Sequence, residues 1–326
     1  MRSVVIVLFT ALSGTILAQD AQRGDVDLAL KRGLDFLVKD ALQWKQDHQC
    51  ASCHHAALTV WALREAKFHN HAVNEEVLAE LTKWMAESGD GKTSVPRPPS
   101  VPRALNTKAI YFALALAVDP QPDNVAQTGL QRMLNTVKED QLENGSWAAW
   151  PETRPPFFGE SNDSMTALAT LALAKAAPSD ASLQQVRDKG IHWLAETKTD
   201  DDPQSIALRL LIWQRMGRPS QESEPLILRI KERQNLDGGW SQTTEMSSDA
   251  WATGQMLYAL SSAGIKADDV MIVRGNSFLV KTQNEDGSWP MTSRPTKPGG
   301  PGSTSLVPII GGGSAWAVLG LVRCHG

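Results

Sequence analysis

The sequence predicts an all-α protein, a single (α/α)6 toroid in which six helical hairpins build an inner ring of helices inside an outer ring. Apolar residues recur at helical spacing along most of the chain, and the alternating Val/Ile/Thr runs of half-buried strands are absent. Amphipathic segments also alternate with segments that are apolar nearly all round. Three copies of one short motif follow amphipathic segments, as expected of a structural repeat.

The outer ring is predicted from the amphipathic segments. In 25–42, for example, Leu34 and Leu37 are offset against Lys31 and Asp35, so that one face is apolar and the other is charged. A surface helix of a globular protein has this pattern. The six outer segments are 25–42, 73–88, 123–140, 181–198, 220–234 and 268–282.

The inner ring is predicted from the apolar segments. Residues 109–116 carry no charged side chain, and a helix without a polar face has to be buried. An open superhelical stack would expose one side of such helices, so the pattern favours a closed ring. The six inner segments are 54–67, 103–118, 163–176, 204–216, 249–263 and 314–323.

The repeated motif has Gln, Gly and Trp at fixed offsets, in 141–147, 234–240 and 283–289. Its glycine suits the left-handed residue that ends a helix. The motif resembles the repeats of squalene and terpenoid cyclases, whose six-hairpin ring also occurs in protein prenyltransferase β subunits. The resemblance covers nearly the whole chain after residue 18 and implies the fold rather than a reaction. Segments 239–242 and 248–255 also look like exported bacterial cyclase-like proteins that carry Cys-x-x-Cys-His near the N-terminus.

The N-terminus predicts export. A basic start followed by the apolar run 4–17 reads as a signal peptide, residues 1–18, which leaves a mature domain of 19–326 in the periplasm or outside the cell. The alternative is an uncleaved anchor. No second run of about 20 apolar residues is evident, so we expect no transmembrane segment in the mature chain. The net charge of −4 and the lack of a basic tract argue against nucleic acid as a partner.

Cys50, Cys53 and His54 form Cys-x-x-Cys-His, the attachment signature of a c-type haem. The two thiols would add across the porphyrin vinyl groups, and the imidazole of His54 would ligate the haem iron. A second interpretation is zinc held by the two cysteines, His54 or His55, and one further ligand. A third is a Cys50–Cys53 disulfide without a metal.

Aspartates precede several predicted inner helices. Because all inner helices of a closed ring run the same way, Asp163, Asp201, Asp202 and Asp249 should share one rim. They are either helix N-caps or an acid or ion site at a cavity mouth. The stretch 199–202 resembles the Asp-x-Asp-Asp acid motif of the cyclases, which implies Asp201 or Asp202 as the catalytic acid.

That resemblance has limits. Thr199 replaces the first aspartate of the acid motif, and the chain has length for only one ring, so hopene-type cyclisation is not expected. Prenyltransferases hold zinc with an Asp-x-Cys pair at the fifth inner helix, where this chain has Asp249-Ala250-Trp251, so prenyl transfer is not supported.

Tryptophans and loop arginines complete the candidate site. Trp61, Trp213, Trp251 and Trp316 fall on inner helices, where they either line an apolar cavity with π faces or pack the core. Long loops rich in Pro and Gly, 89–102, 148–161 and 290–313, carry Arg97, Arg154 and Arg294, which could hold haem propionates or another anion.

Three hypotheses of function follow. The first is a haem-bearing redox or sensing protein whose toroid also offers an apolar binding site, with a redox protein or an isoprenoid-like small molecule as partner. The second is an isoprenoid cyclase-like or isomerase-like enzyme that uses a rim aspartate as acid. The third is a non-catalytic binding module with a structural zinc or disulfide.

Overall fold

The computed structural model describes residues 5–48, 50–88, 107–119, 121–149, 156, 161–176, 179–295 and 305–325, with side chains from Arg23 onward except those of Cys53 and His325. The helices are α1 (Val5–His48), α2 (Leu58–Phe68), α3 (Glu75–Glu87), α4 (Thr107–Leu116), α5 (Asn124–Glu139), α6 (Asn162–Ala176), α7 (Ala181–Glu196), α8 (Pro203–Arg215), α9 (Ser220–Glu232), α10 (Ala250–Ser262), α11 (Val270–Thr282) and α12 (Val307–His325). A π-helical turn, Cys53–Ala57, precedes α2, and two-residue strands β1 (Trp240–Ser241) and β2 (Ser248–Asp249) pair antiparallel before α10.

The even-numbered helices form a closed inner ring. Each packs against the next, from α2 through α4, α6, α8 and α10 to α12, and α12 packs in turn against α2. The outer helices follow the same order, and α11 contacts α1 across the junction between the two ends of the chain. The predicted all-α toroid is therefore confirmed.

The helix bounds agree with the prediction to within a few residues except at two places. Helix α1 already begins at Val5, whereas its amphipathic part was predicted from residue 25. Helix α12 begins at Val307 rather than at 314, because Gly311, Gly312 and Gly313 are helical. A Cβ atom on Gly313 would lie 2.5 Å from the Met291 sulfur, so these glycines allow the helix to approach its neighbours closely.

The sequence predicts no further long apolar run. By length and composition alone, however, Val307–Cys324 could cross a membrane. However, 78% of this stretch is buried inside the fold, where it forms the sixth inner helix. Its apolar character is thus explained by the core.

The repeated motif fastens three of the outer helices, α5, α9 and α11, to the outer helix that follows each of them. In all three copies, the indole Nε1 donates a hydrogen bond of 2.8 Å to the carbonyl ten residues earlier, Trp147 to Val137, Trp240 to Ile230 and Trp289 to Leu279. The glutamine amide donates to a carbonyl of the following outer helix, Gln141 to Val186, Gln234 to Met271 and Gln283 to Ala29. The last of these bonds reaches α1, so the motif also fastens the closure of the ring.

Candidate functional site

Asp202 and Asp249 lie at the predicted rim as helix N-caps. The carboxylate of Asp202 accepts a hydrogen bond of 2.7 Å from the backbone N–H of Ser205 at the start of α8. Asp249 accepts one of 2.9 Å from the N–H of Ala252 at the start of α10. Capping accounts for the position of both residues.

Asp163 is buried near the start of α6 and is committed to structural contacts. It forms an ion pair with the buried Arg209 of α8 and accepts a hydrogen bond of 2.7 Å from the N–H of Asp200. Burial raises its pKa, and the positive charge of Arg209 opposes that rise. Asp163 therefore connects the inner helices α6 and α8 and the loop that precedes α8.

Asp201 lies apart from the ring interior. Its side chain is 81% exposed and pairs at 2.8 Å with Arg229 and at 2.6 Å with Arg233 on the outer helix α9 side. The hydrogen bond from Arg229 lowers the pKa of Asp201, with the charge of Arg233 adding to this. The prediction of Asp201 as a cavity acid is therefore wrong, because ion pairing keeps an exposed carboxylate charged.

Asp249 belongs to a buried polar chain at the same rim. Its second carboxylate oxygen accepts a hydrogen bond of 2.7 Å from the amide of Gln242, and the Gln242 carbonyl accepts one of 2.7 Å from Arg294 Nε. Burial raises the pKa of Asp249 to about 6, although the Arg294 charge opposes this, and burial also raises the pKa of Asp202. Arg97 and Arg154 lie outside the described residues.

Of the two roles that the sequence leaves open for the tryptophans, the structure shows core packing. Trp61, Trp251, Trp316 and Tyr258, which we call the aromatic plug, are buried at the middle of the ring. Ring centroids lie 5.1 Å apart for Trp61 and Trp316 and 6.1 Å apart for Trp251 and Trp316. Trp213 is also buried and packs against Arg218 and Arg209. The described part of the chain also forms a cavity, and no tryptophan lines it.

That cavity lies at the opposite end of the ring from the aspartate rim. It has a volume of about 760 Å³ and opens between the C-terminal ends of the inner helices, with the start of α5 on one side. Apolar side chains form its walls, among them Phe68, Val118, Leu130, Leu134, Leu171 and Leu211. Charged or phenolic side chains form its base and mouth, Glu65, Asp119, Lys175, Arg215, Tyr258 and Arg323.

A cluster of Glu65, Lys175 and Tyr258 lies at the base of the cavity. Lys175 Nζ is 3.2 Å from both Glu65 Oε1 and the Tyr258 hydroxyl, and that hydroxyl donates a hydrogen bond of 2.6 Å to Glu65. The indole N–H of Trp61 donates to the same carboxylate oxygen at 3.2 Å.

Burial alone would raise the pKa of Glu65, but the charge of Lys175 and the hydrogen bonds from Tyr258 and Trp61 lower it below its ordinary value. Glu65 is therefore ionised at neutral pH.

The rim and the cavity are separate places. Tyr258 lies nine positions after Asp249 along α10, a rise of roughly 14 Å at 1.5 Å per residue, and the aromatic plug fills the ring between them. A ligand in the cavity therefore does not touch the rim aspartates.

Sequence reasoning missed Glu65, Lys175 and Tyr258, which stand on different helices far apart in the chain. The sequence feature that could have identified them is a charged residue within an otherwise apolar inner helix, as at Glu65 and Lys175.

The Cys-x-x-Cys-His turn lies at the start of the first inner helix, outside the cavity. Cys50 is exposed, and the ring of Trp44 stacks between His48 at 3.6 Å and His55 at 4.0 Å. The hydroxyl of Ser52 is 3.2 Å from His54 Nδ1. Burial, with a smaller effect of His48, lowers the pKa of His54 to about 3, so its imidazole is neutral as metal ligation requires.

These residues fit the two proposed groups unequally. Thiol and neutral imidazole are the right donors for haem c and for zinc. A haem would also need space beside His54, whose ring packs edge-on against the rings of Trp44 and His55. Among the described side chains, which exclude that of Cys53, no three potential ligands converge on a metal position.

Comparisons with known proteins support the fold. No protein-family model and no curated protein sequence matches the chain. Among solved structures, a substrate-bound variant of the type II terpene cyclase MstE from Scytonema, holding geranylgeranyl dihydroxybenzoate, matches with a TM-score of 0.57 and 14% identity over 94% of this chain and 99% of that one. Apo MstE matches with a TM-score of 0.55 and 15% identity over 90% and 98% of the two chains. At this identity the likeness shows the fold alone.

Proposed function

We propose that this protein binds an isoprenoid-like amphiphile, with the apolar chain of the ligand in the cavity at the C-terminal end of the inner ring. The cavity itself carries the proposal, since its 760 Å³ is within the range of small-molecule sites and its walls are apolar. The likeness to MstE, which has been solved with a geranylgeranyl substrate and with a product, supports the ligand class.

The charges at the cavity favour a ligand with a negative head group. Arg64 pairs with Asp119 at 2.6 Å, and Lys175 pairs with Glu65 at 3.2 Å, so these charges balance. Among the described residues, Arg215 and Arg323 bond to carbonyl, hydroxyl and imidazole groups rather than to carboxylates. Their positive charge is thus available to a carboxylate, which arginine binds well.

The same geometry argues for binding rather than cyclisation in this cavity. Protonation of an alkene requires an un-ionised acid in contact with the substrate. Glu65 is ionised, and Asp249 lies behind the aromatic plug. An isoprenoid cyclase-like reaction is the second candidate, favoured by the raised pKa of Asp249, and it would take place at the N-terminal rim with Asp249 or Asp202 as the acid.

Binding of geranylgeranoic acid by the full chain, measured by calorimetry, tests the proposal. Gln127 is exposed at the cavity mouth, so Gln127→Trp should obstruct entry, while Gln221→Trp on the outer helix α9 should not. Arg215→Gln should weaken binding about tenfold, the equivalent of one charge-assisted contact. Equal affinities for all four proteins would overturn this placement of the ligand. Turnover of a geranylgeranyl substrate that Asp249→Asn abolishes would favour the second candidate.

The haem prediction is retained as a separate proposal. Cys50 and Cys53 would hold the group covalently and His54 would ligate its iron, and a bound haem would supply redox chemistry. The exposed thiol of Cys50 and the neutral imidazole of His54 support it, and the close packing of Trp44 and His55 stands against it. Zinc remains the alternative.

A further inference from the structure

Lys175 is a primary amine at the base of the cavity. Its side chain is only 16% exposed, and that exposed part lines the cavity. The ammonium group lies 5.0 Å from the centre of the Trp61 ring and 5.8 Å from that of Tyr258, in addition to its contact with Glu65. The amine is therefore enclosed by the Glu65 carboxylate, the Trp61 ring and the Tyr258 hydroxyl, and it is approachable from the ligand space.

Neither stability nor anion binding accounts well for this arrangement. A buried ion pair commonly contributes no more to stability than apolar side chains of similar volume. The charge of Lys175 is already balanced by Glu65, so it adds little to the recognition of an anionic head group. A lysine desolvated at the base of an apolar cavity is, however, one setting in which an amine is activated for attack on a carbonyl group.

We propose that Lys175 forms an imine with an aldehyde at the end of an isoprenoid-like ligand, and that Glu65 is the counter-ion of the protonated imine. The chain of this ligand occupies the cavity, so the inference rests on the proposed function for the class of ligand. It adds a covalent bond and an aldehyde group that the binding proposal does not require.

The step balances within the cluster. The Lys175 ammonium gives one proton to Glu65, the free amine attacks the carbonyl carbon, and a carbinolamine forms. Its hydroxyl then leaves as water with the proton held by Glu65, and a C=N⁺–H bond remains beside the Glu65 carboxylate. One ammonium and one aldehyde thus give one iminium and one water, without an oxidant or a reductant.

The neighbouring groups suit each stage. Burial lowers the pKa of Lys175, and the charges of Arg323 and Arg215 lower it further, whereas the charge of Glu65 raises it. The net effect is a lowered pKa, which increases the fraction of free amine. The ring of Trp61, 5.0 Å from the nitrogen, stabilises the iminium cation. The Tyr258 hydroxyl holds the Glu65 carboxylate in place at 2.6 Å.

The test is trapping with geranylgeranial and borohydride on the full chain, followed by intact mass and peptide mapping. We expect one reduced adduct, located on Lys175, in the unsubstituted protein. Lys175→Met should lose it and Glu65→Gln should slow its formation at least tenfold, whereas Lys281→Met, at an exposed lysine of α11, should keep it. Adducts spread over the exposed lysines, with none on Lys175, would overturn the inference, and this mapping does not require Lys175→Met to fold.

A second measurement separates this inference from the proposed function. If geranylgeranoic acid binds while geranylgeranial gives no adduct on Lys175, the imine is excluded and the binding proposal stands. If neither compound binds, both are overturned. An adduct on Lys175 that excess geranylgeranoic acid suppresses supports both.

Discussion

At the scale of single residues, burial decides what each acidic side chain of this protein can do. Asp201 and Asp202 are neighbours in one sequence motif, but the first is exposed between two arginines and the second caps α8 from a half-buried position. Their pKa values consequently move in opposite directions. The sequence predicts that aspartates occupy this rim, but it does not predict which of their carboxylates is desolvated by the fold.

The buried carboxyl of Asp249 should make stability depend on pH. Its folded-state pKa of about 6 lies above the ordinary value of 3.8, so the native state binds this proton more tightly than the unfolded state. The resulting stabilisation is present below pH 4 and is lost as the pH rises towards 6. A shift of this size corresponds to roughly 3 kcal/mol. Between pH 4 and 6, the free energy of unfolding of Asp249→Asn, measured by urea denaturation, should therefore fall less steeply with pH than that of the parent protein.

Asp201→Asn is the matched control for that experiment. The pKa of Asp201 is lowered, so its contribution is present above the ordinary value and is lost as the pH falls. Its removal should change the pH profile in the opposite direction from that of Asp249. Identical profiles for Asp249→Asn and the parent protein would show that the carboxyl is not desolvated as the structure indicates.

The Cys-x-x-Cys-His turn gives a prediction that an absorption spectrum checks. The full chain, exported in a host with active cytochrome c maturation, should show a Soret band and a mass gain of one haem. Both should disappear in Cys53→Ala, because one thioether bond is lost, and persist in Cys324→Ala, whose thiol is buried on α12. A folded, fully matured protein without the band excludes haem c and makes zinc analysis the next measurement.

At the scale of helices, small residues decide how closely the inner ring packs. A Cβ atom on Gly254 of α10 would lie 2.1 Å from the Trp316 carbonyl oxygen of α12, and one on Gly320 would lie 2.9 Å from the Gly254 oxygen. The two helices thus meet backbone to backbone. The apolar pattern predicts that both are inner helices, but it does not reveal this close crossing, nor that the glycines before residue 314 continue α12.

Gly254→Ala should accordingly be strongly destabilising. The clash is with backbone atoms that cannot rotate away, so the cost should reach or exceed the about 1–3 kcal/mol usual for overpacking. Gly24→Ala is the control, because Gly24 lies in α1 with nothing within 4 Å of the added Cβ atom. The control should be neutral or more stable by up to about 1 kcal/mol, from helix propensity. Equal melting temperatures for the two variants would contradict the close packing of α10 and α12.

At the scale of the whole molecule, the toroid provides two ends that the aromatic plug keeps apart. The rim end contains capping aspartates and the Cys-x-x-Cys-His turn, and the other end contains the cavity. Periodicity predicts the ring because each helix must bury one face or all faces. It does not predict the cavity, because Glu65, Lys175 and Tyr258 meet only through the order of helices around the ring.

In a closed ring, the first and last hairpins contact each other as any two neighbouring hairpins do, and this can be tested by substitution. Gln283 donates at 2.9 Å to the Ala29 carbonyl across the junction, and Gln234 donates at 2.9 Å to Met271 within the ring. Each amide also binds the carbonyl of its own motif glycine. Gln283→Ala and Gln234→Ala should therefore destabilise the protein equally, by about 1–3 kcal/mol for two hydrogen bonds, in urea denaturation. An open stack would leave Gln283 only the bond within its own motif, so a clearly smaller loss of stability for Gln283→Ala than for Gln234→Ala would show that the ring does not close in solution.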